Sequence, residues 1–234
     1  MRRATACQGF TLIELLVAIS LMALMTVLSW RGLDGISRAQ THLQQQSDDV
    51  LALQATLAQW GVDLDAMAEQ PGIPSLDWDG RALRILRSSG ALSGEGLRVV
   101  AWTRRSVAGQ GQWLRWQSPP LLTRRELTLA WQKAQVWAQT PSDDDLLREV
   151  RTVALDQWQI FYYRGNAWSN PLSSADGATA VSAASGASAA AASVTPVVAA
   201  VPDGVRLVLT LAPGQAINGT VTRDWVRGSI GGGK

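Results

Sequence analysis

A single apolar run near the N-terminus constrains this 234-residue chain more than any other feature. The run extends from Phe10 to Trp30 and contains one ionisable side chain, that of Glu14. A helix of this length covers about 31 Å, which matches the hydrocarbon thickness of a bilayer. The run is too long for the apolar region of a cleaved secretory signal, which spans roughly 7 to 15 residues. We therefore predict a transmembrane helix over residues 10–30.

Glu14 is an unusual residue to find inside such a helix. A charged side chain costs about 2.5 to 3.5 kcal/mol at the centre of a membrane helix, and it marks a functional site by default. If the chain were cut between Gly9 and Phe10, the new α-amino group of Phe10 would lie four residues before Glu14, on the same helical face. A cation and an anion would then share one low-dielectric site, within one chain or between neighbouring chains. An ordinary membrane anchor gives no such reason for the carboxylate.

These residues resemble the N-terminal signal of type IV prepilins and of type II secretion pseudopilins. The shared features are a short basic leader, the Gly9-Phe10 junction, Glu14 and an unbroken apolar helix. The resemblance implies that a prepilin peptidase cleaves after Gly9 and methylates the amino group of Phe10, and that Glu14 forms an assembly charge pair with Phe10. It also implies a single-pass protein of the cell inner membrane, with its C-terminal domain in the periplasm.

After Trp30 the chain turns polar, but it contains no helix breaker before Pro71. Apolar residues recur every seven positions in two series that lie three positions apart: Ile36, Leu43, Val50, Leu57 and Leu64, then Leu53, Trp60 and Met67. This spacing draws one apolar stripe along a helix. We predict an amphipathic stalk helix over residues 31–70 that packs on the chain's own sheet. A coiled coil is the less favoured alternative, because few e/g charge pairs accompany the repeat.

Beyond Pro71 the sequence alternates between apolar and polar residues in seven short runs. The runs cover residues 81–87, 97–103, 113–116, 126–131, 158–163, 205–211 and 220–226. This alternation is typical of β-strands, and Asn218-Gly219 is typical of a two-residue hairpin turn. The predicted fold class is α+β: a long N-terminal helix packed on an antiparallel β-sheet, as in pilins.

The predicted organisation has five parts. They are a leader (1–9), the transmembrane helix (10–30), the stalk helix (31–70), a β-rich periplasmic domain (71–227) and a flexible tail (228–234). Within the domain, residues 175–203 change abruptly to Ala, Ser, Gly and Val. Because this stretch has few large apolar side chains, a second membrane span is disfavoured. We interpret it as a surface insertion between strands.

The composition disfavours most familiar catalytic and metal chemistries. The chain has one histidine, His42, and one cysteine, Cys7. It therefore lacks the side chains for a His/Cys zinc site or for the usual Ser-His or Cys-His catalytic pair. We predict no catalytic residue and no cofactor, and we expect a structural protein rather than an enzyme.

Three consecutive acidic residues, Asp143 to Asp145, raise the question of a calcium site, because some pseudopilins bind calcium through loop carboxylates. However, Ser142 and Asp145 form the S-x-x-D pattern of a helix start, and acidic residues favour a first helical turn. We prefer the helix cap, and no metal site is predicted.

Arginine and tryptophan alternate between Trp102 and Trp116, a pattern that could form a surface for base stacking and phosphate binding. Cleavage would remove Arg2 and Arg3 and leave 19 basic and 19 acidic side chains, so the processed chain would have no net side-chain charge. We therefore favour an ordinary sheet with a Trp-rich inner face, and no nucleic-acid partner is expected.

The run from Trp30 to Gln40 and the aromatic strand that begins near Trp158 resemble the J-type minor pseudopilins of type II secretion systems. The resemblance implies a structural subunit of the pseudopilus tip complex that helps initiate pseudopilus assembly for protein export across the outer membrane. It implies I-type and K-type minor pseudopilins, the prepilin peptidase and the inner-membrane secretion platform as partners. A minor type IV pilin involved in pilus biogenesis or DNA uptake is the alternative.

Overall fold

The structure is a computed structural model that describes residues 10–90, 96–173 and 200–228. Some predicted segments lie outside these ranges: the leader with Gly9, most of the Ala/Ser-rich insertion, and the tail after Gly228. The interpretations of those segments therefore stay predictions.

The chain divides into two compact units, Met1–Asp48 and Asp49–Lys234. One helix, α1 (Leu12–Asp65), contributes residues to both units. No Pro interrupts it, and its glycines leave the backbone hydrogen bonds of the helix intact.

Eight antiparallel strands form one sheet in the second unit. The strands are β1 (Leu76–Trp78), β2 (Ala82–Ser88), β3 (Leu97–Val107), β4 (Gln110–Gln117), β5 (Glu149–Arg164), β6 (Ala167–Ser169), β7 (Gly204–Leu211) and β8 (Gly219–Val226). Their order is β1-β2-β3-β4-β5-β7-β8, and β6 pairs with the end of β5. The predicted α+β fold, a long N-terminal helix with an antiparallel sheet, is confirmed.

The strand predicted at residues 126–131 is wrong, because these residues lie in a helix, α2 (Arg124–Gln139). A capping box starts this helix: the Glu126 amide donates to the Thr123 hydroxyl at 3.3 Å, and the Thr123 amide donates to the Glu126 carboxylate at 3.0 Å. The buried residues of α2 are spaced at helical intervals: Leu127, Ala130, Ala134, Trp137 and Ala138. This longer period outweighs the short alternation that suggested a strand.

Strands β2 to β4 are covered on both faces, and each face has its own apolar core. One face packs against the C-terminal part of α1, around Trp60 and Leu64. The other face packs against α2, around Leu127 and Trp137. The sheet is therefore the middle layer between two helices of the second unit.

Because side chains alternate along β3, this one strand contributes residues to both cores. Val100 and Trp102 belong to the core beneath α1, whereas Val99 and Ala101 belong to the core beneath α2. All four are fully buried, because successive residues of a strand point to opposite faces.

Helix α1 ends at Asp65, before the boundary predicted at residue 70. The chain beyond it pairs with β2 instead: the Ala68 amide donates to the Leu86 carbonyl, and the Ser88 amide donates to the Ala66 carbonyl, both at 2.9 Å. These bonds replace those of a further helical turn. Pairing with the sheet therefore decides where the helix stops.

The predicted C-terminal hairpin exists, but its two-residue turn is wrong. Residues 212–218 connect β7 to β8, and Gly219 is already the first residue of β8, paired with Leu211. In this register Trp225 lies opposite Val205 and is buried, whereas a turn at residues 218–219 would carry Trp225 past the end of β7. Burial of the indole ring fixes the register.

Candidate functional site

The predicted processing and assembly residues lie at the start of α1. The helix begins at Leu12, so Glu14 belongs to its first turn and Phe10 lies just before it. The Phe10 side chain is 82% exposed. Gly9, the predicted residue before the cut, lies outside the described residues. Phe10 and Glu14 are therefore found together at one helix end.

The Glu14 carboxylate is oriented toward the N-terminus of its own helix. Its Oε2 lies 3.3 Å from the Thr11 hydroxyl and 3.5 Å from the Thr11 amide. Thr11 and Glu14 have the T-x-x-E spacing of a capping box, and a carboxylate is favoured at the positive end of a helix dipole. The Glu14 carboxylate therefore lies at the end of the helix that follows Phe10.

The first part of α1 presents apolar side chains on every side. Over its most apolar 18 residues the mean hydropathy is 2.3, and none of that window is buried. Leu12, Met22 and Trp30 are 81%, 71% and 74% exposed. Within the described ranges, α1 is the one helix that is long and apolar enough to cross a bilayer. A helix that is apolar all round needs a membrane or a packed assembly around it.

The part of α1 that belongs to the second unit has two different faces. The inner face packs on the sheet through Leu53, Trp60 and Leu64. The opposite face carries four exposed residues at intervals of four, three and four: Leu51, Ala55, Ala58 and Val62. We call these four residues the outer seam. Their spacing is typical of a seam between packed helices, and the small alanines permit a close approach of backbones.

The buried acid of the inner face is the main feature that sequence reasoning missed. Asp63 is 0% exposed, and its carboxylate accepts hydrogen bonds from Arg87, Trp102 and Arg115. These partners are 24, 39 and 52 residues away along the chain, so no local motif connects them. In the sequence, the one sign of this site is that Asp63, an acidic residue, interrupts the apolar stripe of α1.

The acidic run forms the start of a short helix, α3 (Asp143–Leu146), as preferred from the sequence. Ser142 caps it: its amide donates to Asp145 Oδ2 at 3.1 Å, and the Asp145 amide donates to its hydroxyl. The Lys133 ammonium lies 2.9 Å from Asp144; this hydrogen bond raises the pKa of Lys133 and lowers that of Asp144. In the parts of the chain that the structure describes, no three His, Cys, Asp or Glu side chains are grouped as a metal site.

The tryptophans between residues 102 and 116 do not form a stacking surface. Each is at most 1% exposed: Trp102, Trp113 and Trp116. The neighbouring Arg105 donates to Glu149 at 2.5 Å and to the Trp137 carbonyl at 3.2 Å. Because the rings are inside the two cores and this arginine is already paired, the segment contributes to packing rather than to base recognition.

Comparison with known proteins identifies the N-terminal motif. Residues 5–30 match the family model described as the prokaryotic N-terminal methylation motif. No curated protein matches the sequence. Among solved structures, a chain of the GspK-GspI-GspJ complex from the enterotoxigenic Escherichia coli type 2 secretion system is similar, with 18% identity and a TM-score of 0.44, over 77% of this chain and 99% of that chain. The chain thus carries a methylation motif at the head of an apolar helix, which fits a single-pass membrane protein.

Proposed function

We propose that this chain is a J-type minor pseudopilin of a type II secretion system. In this proposal it is a structural subunit of the pseudopilus tip complex, and it helps initiate pseudopilus assembly for protein export across the outer membrane. It is a substrate of the prepilin peptidase and not an enzyme. It crosses the inner membrane once, and its second unit lies in the periplasm.

One observation carries the proposal: the methylation motif stands at the head of α1, whose first part is apolar and exposed on all sides. The second part of the same helix packs on an antiparallel sheet. This combination supports a subunit that is held in the membrane before assembly and whose helix later packs against other helices.

Cleavage of the Gly9–Phe10 bond gives Phe10 a charged amino group, and N-methylation keeps that charge. Burying this ammonium or the Glu14 carboxylate alone would cost several kcal/mol, so the two groups favour each other wherever helices pack in a low-dielectric environment. The orientation of Glu14 toward the helix N-terminus supports this pairing. The partner amino group belongs to the same chain or to a neighbouring one.

The outer seam is the surface that we assign to helix packing with the I-type and K-type minor pseudopilins. Its four residues are exposed on the side of α1 that faces away from the sheet. Small and apolar side chains at these intervals allow close contact between helices. The prepilin peptidase and the inner-membrane secretion platform would act on the chain before it reaches this complex.

Mass spectrometry of the protein recovered from cell membranes tests the processing step. We expect the chain to begin at an N-methylated Phe10, and we expect Gly9→Val to retain residues 1–9. Gly32→Ala is the matched control, because its added Cβ meets no heavy atom within 4 Å other than those of the adjacent residues and the helix backbone, and it should be processed like the wild type. An unprocessed wild-type N-terminus would overturn the proposal.

Co-purification of the full chain in detergent with I-type and K-type subunits tests the assignment to the tip complex. We expect a stable complex that Ala58→Arg in the outer seam disrupts. Ala52→Arg makes the same change at an exposed position about 90° away around the helix, and it should leave the complex intact. If neither partner is retained by the wild type, the chain is not a subunit of this complex.

A further inference from the structure

The carboxylate of Asp63 accepts hydrogen bonds from side chains of three neighbouring strands. Arg115 of β4 donates through Nε and Nη2, each at 2.8 Å. Arg87 of β2 donates to Oδ1 at 2.5 Å, and Trp102 of β3 donates to Oδ2 at 3.0 Å. Gln59, one turn earlier on α1, adds a bond of 3.0 Å to Oδ1. We call these five side chains the Asp63 cluster.

The charges of the cluster depend on Asp63 alone. The Arg87 and Arg115 side chains are only 17% and 12% exposed, and one carboxylate compensates both guanidinium groups. Neither arginine has another acidic partner among the described residues. Without the carboxylate, two cations would remain between helix and sheet, and an unpaired charge in such a place is strongly destabilising. The charge balance between the helix end and the sheet therefore depends on one carboxylate, in addition to the apolar packing of Leu53, Trp60 and Leu64.

The strands that meet at the cluster are also joined by contacts that do not involve α1. Backbone pairing joins β2 to β3 and β3 to β4 over their whole common length. The second core, which includes Trp116 and Trp137, lies on the opposite face and contains no residue of α1. Loss of the α1 contacts would therefore remove neither the pairing of these strands nor their α2 contacts directly.

We propose that the Asp63 cluster is a latch: it holds residues 53–65 of α1 on the sheet, and its opening releases this helix end as a unit while the sheet stays folded. Opening uncovers the apolar face beneath α1, including Leu83 and Trp102. A partner that binds the free helix end better than the sheet does would shift the chain toward the open form. The latch is independent of the function proposed above and would exist in any protein with this second unit.

Amide hydrogen exchange of the full chain in detergent micelles, read by mass spectrometry, tests the latch. In Asp63→Asn we expect amides of residues 53–65 to exchange roughly 100-fold faster than in the wild type, because the two arginines lose their counter-charge. Amides of α2, β5 and β7 should stay within about twofold of the wild type. Unchanged exchange in residues 53–65, or equal acceleration everywhere, would refute the proposal.

Asp65→Asn is the matched control on the same helical turn. Asp65 is exposed, and its carboxylate accepts one bond, from Trp225 Nε1 at 2.7 Å. Its replacement should accelerate exchange in residues 53–65 by no more than about threefold, because no buried cation loses its partner. An effect as large as that of Asp63→Asn would mean that any loss of a helix contact opens this segment.

Two further variants distinguish the loss of charge compensation in the cluster from a general failure to fold. Arg87→Gln leaves Asp63 paired with Arg115, so it should fold even if Asp63→Asn fails to accumulate, and it should accelerate exchange only in residues 53–65. The triple variant D63N/R87Q/R115Q removes both cations together with the acid. We expect its helix end to exchange more slowly than that of Asp63→Asn, and the charge mechanism fails if it does not.

Discussion

Helix α1 has two parts whose apolar side chains have different surroundings. In the first unit Leu16 and Met25 are 62% and 69% exposed, and apolar residues occur all around the helix. In the second unit Trp60 and Leu64 are at most 1% exposed, and polar residues separate the inner face from the outer seam. The distribution of apolar residues around a helix therefore indicates what it packs against. In the second unit this is the chain's own sheet, and in the first unit it is a surrounding membrane or neighbouring helices.

The largest effect on the second unit is expected from Trp60→Ala. The indole is fully buried against the sheet, so its removal should lower the free energy of unfolding by about 3 to 5 kcal/mol. Leu51→Ala, in the exposed outer seam, should change it by less than about 0.5 kcal/mol. Denaturant titration of the full chain in detergent measures both, and equal losses would show that the two faces of the helix are not distinct.

In the first part of α1, a substitution is expected to affect membrane insertion and not the stability of the second unit. Leu21→Arg places a charge near the middle of the apolar run and should weaken membrane insertion by about 2.5 to 3.5 kcal/mol. The free energy of unfolding of the second unit should not change. Alkaline extraction of membranes measures insertion, with Leu21→Met as the apolar control. Destabilisation of the second unit without loss of membrane binding would contradict the comparison.

A pair of glycine substitutions gives a smaller and stabilising effect. Gly61 and Gly35 both lie within α1, and at either position an added Cβ meets no heavy atom within 4 Å other than those of the adjacent residues and the helix backbone. Gly61→Ala should stabilise the second unit by about 0.5 to 1 kcal/mol, because alanine loses less backbone entropy in a helix. Gly35→Ala should leave its denaturation midpoint unchanged. A shift of similar size in both variants would show that the two parts of α1 unfold as one.

The smallest effect is expected for an ion pair that lies away from α1. It serves as a reference for how the free energy of unfolding of the second unit changes at acid pH. Arg206 donates two hydrogen bonds of 2.7 Å to Asp224 and lowers the pKa of that carboxyl. The pair therefore stabilises the fold above the unfolded-state pKa near 3.9, and this contribution is lost as the pH falls through the lower folded-state pKa.

Asp224→Asn should flatten the acid side of the stability curve by less than about 1 kcal/mol, because both side chains are partly exposed. Denaturant titrations between about pH 5 and pH 2 measure this change. An acid limb that is identical in the variant and the wild type would show that the pair contributes nothing.

Periodic patterns predicted most of the elements. The heptad spacing from Ile36 to Leu64 lies inside α1, and the alternating runs coincide with β2, β3, β4, β5, β7 and β8. These predictions succeed because a helix or strand with one buried face must repeat its apolar residues at its own period. The helical stripe does not reveal which residues find a partner: Leu53 and Trp60 are buried on the sheet, whereas Ile36 and Leu43 are 66% and 65% exposed.

The errors have two causes. The start of α2 is readable locally from Thr123 and Glu126, and the strand prediction fails there because the alternation of Leu127 and Leu129 covers only part of a longer helical period. The other errors arise where contacts distant in sequence decide the structure. The loop at residues 212–218 follows from the burial of Trp225 opposite Val205, which no turn motif encodes. The Asp63 cluster is of the same kind, because strand pairing brings its members together.

Strand β5 runs through both halves of the sheet: residues 149–154 pair with β4, and residues 155–163 pair with β7. The chain leaves this strand through β6 and returns next to it, where the Asp203 amide donates to the Tyr163 carbonyl at 3.0 Å. Both ends of the connection are fixed on one strand, and lengthening a flexible insert between two fixed ends costs about 0.6 kcal/mol for each doubling. The connection between β6 and β7 is thus a natural place to insert a reporter domain without rebuilding the sheet.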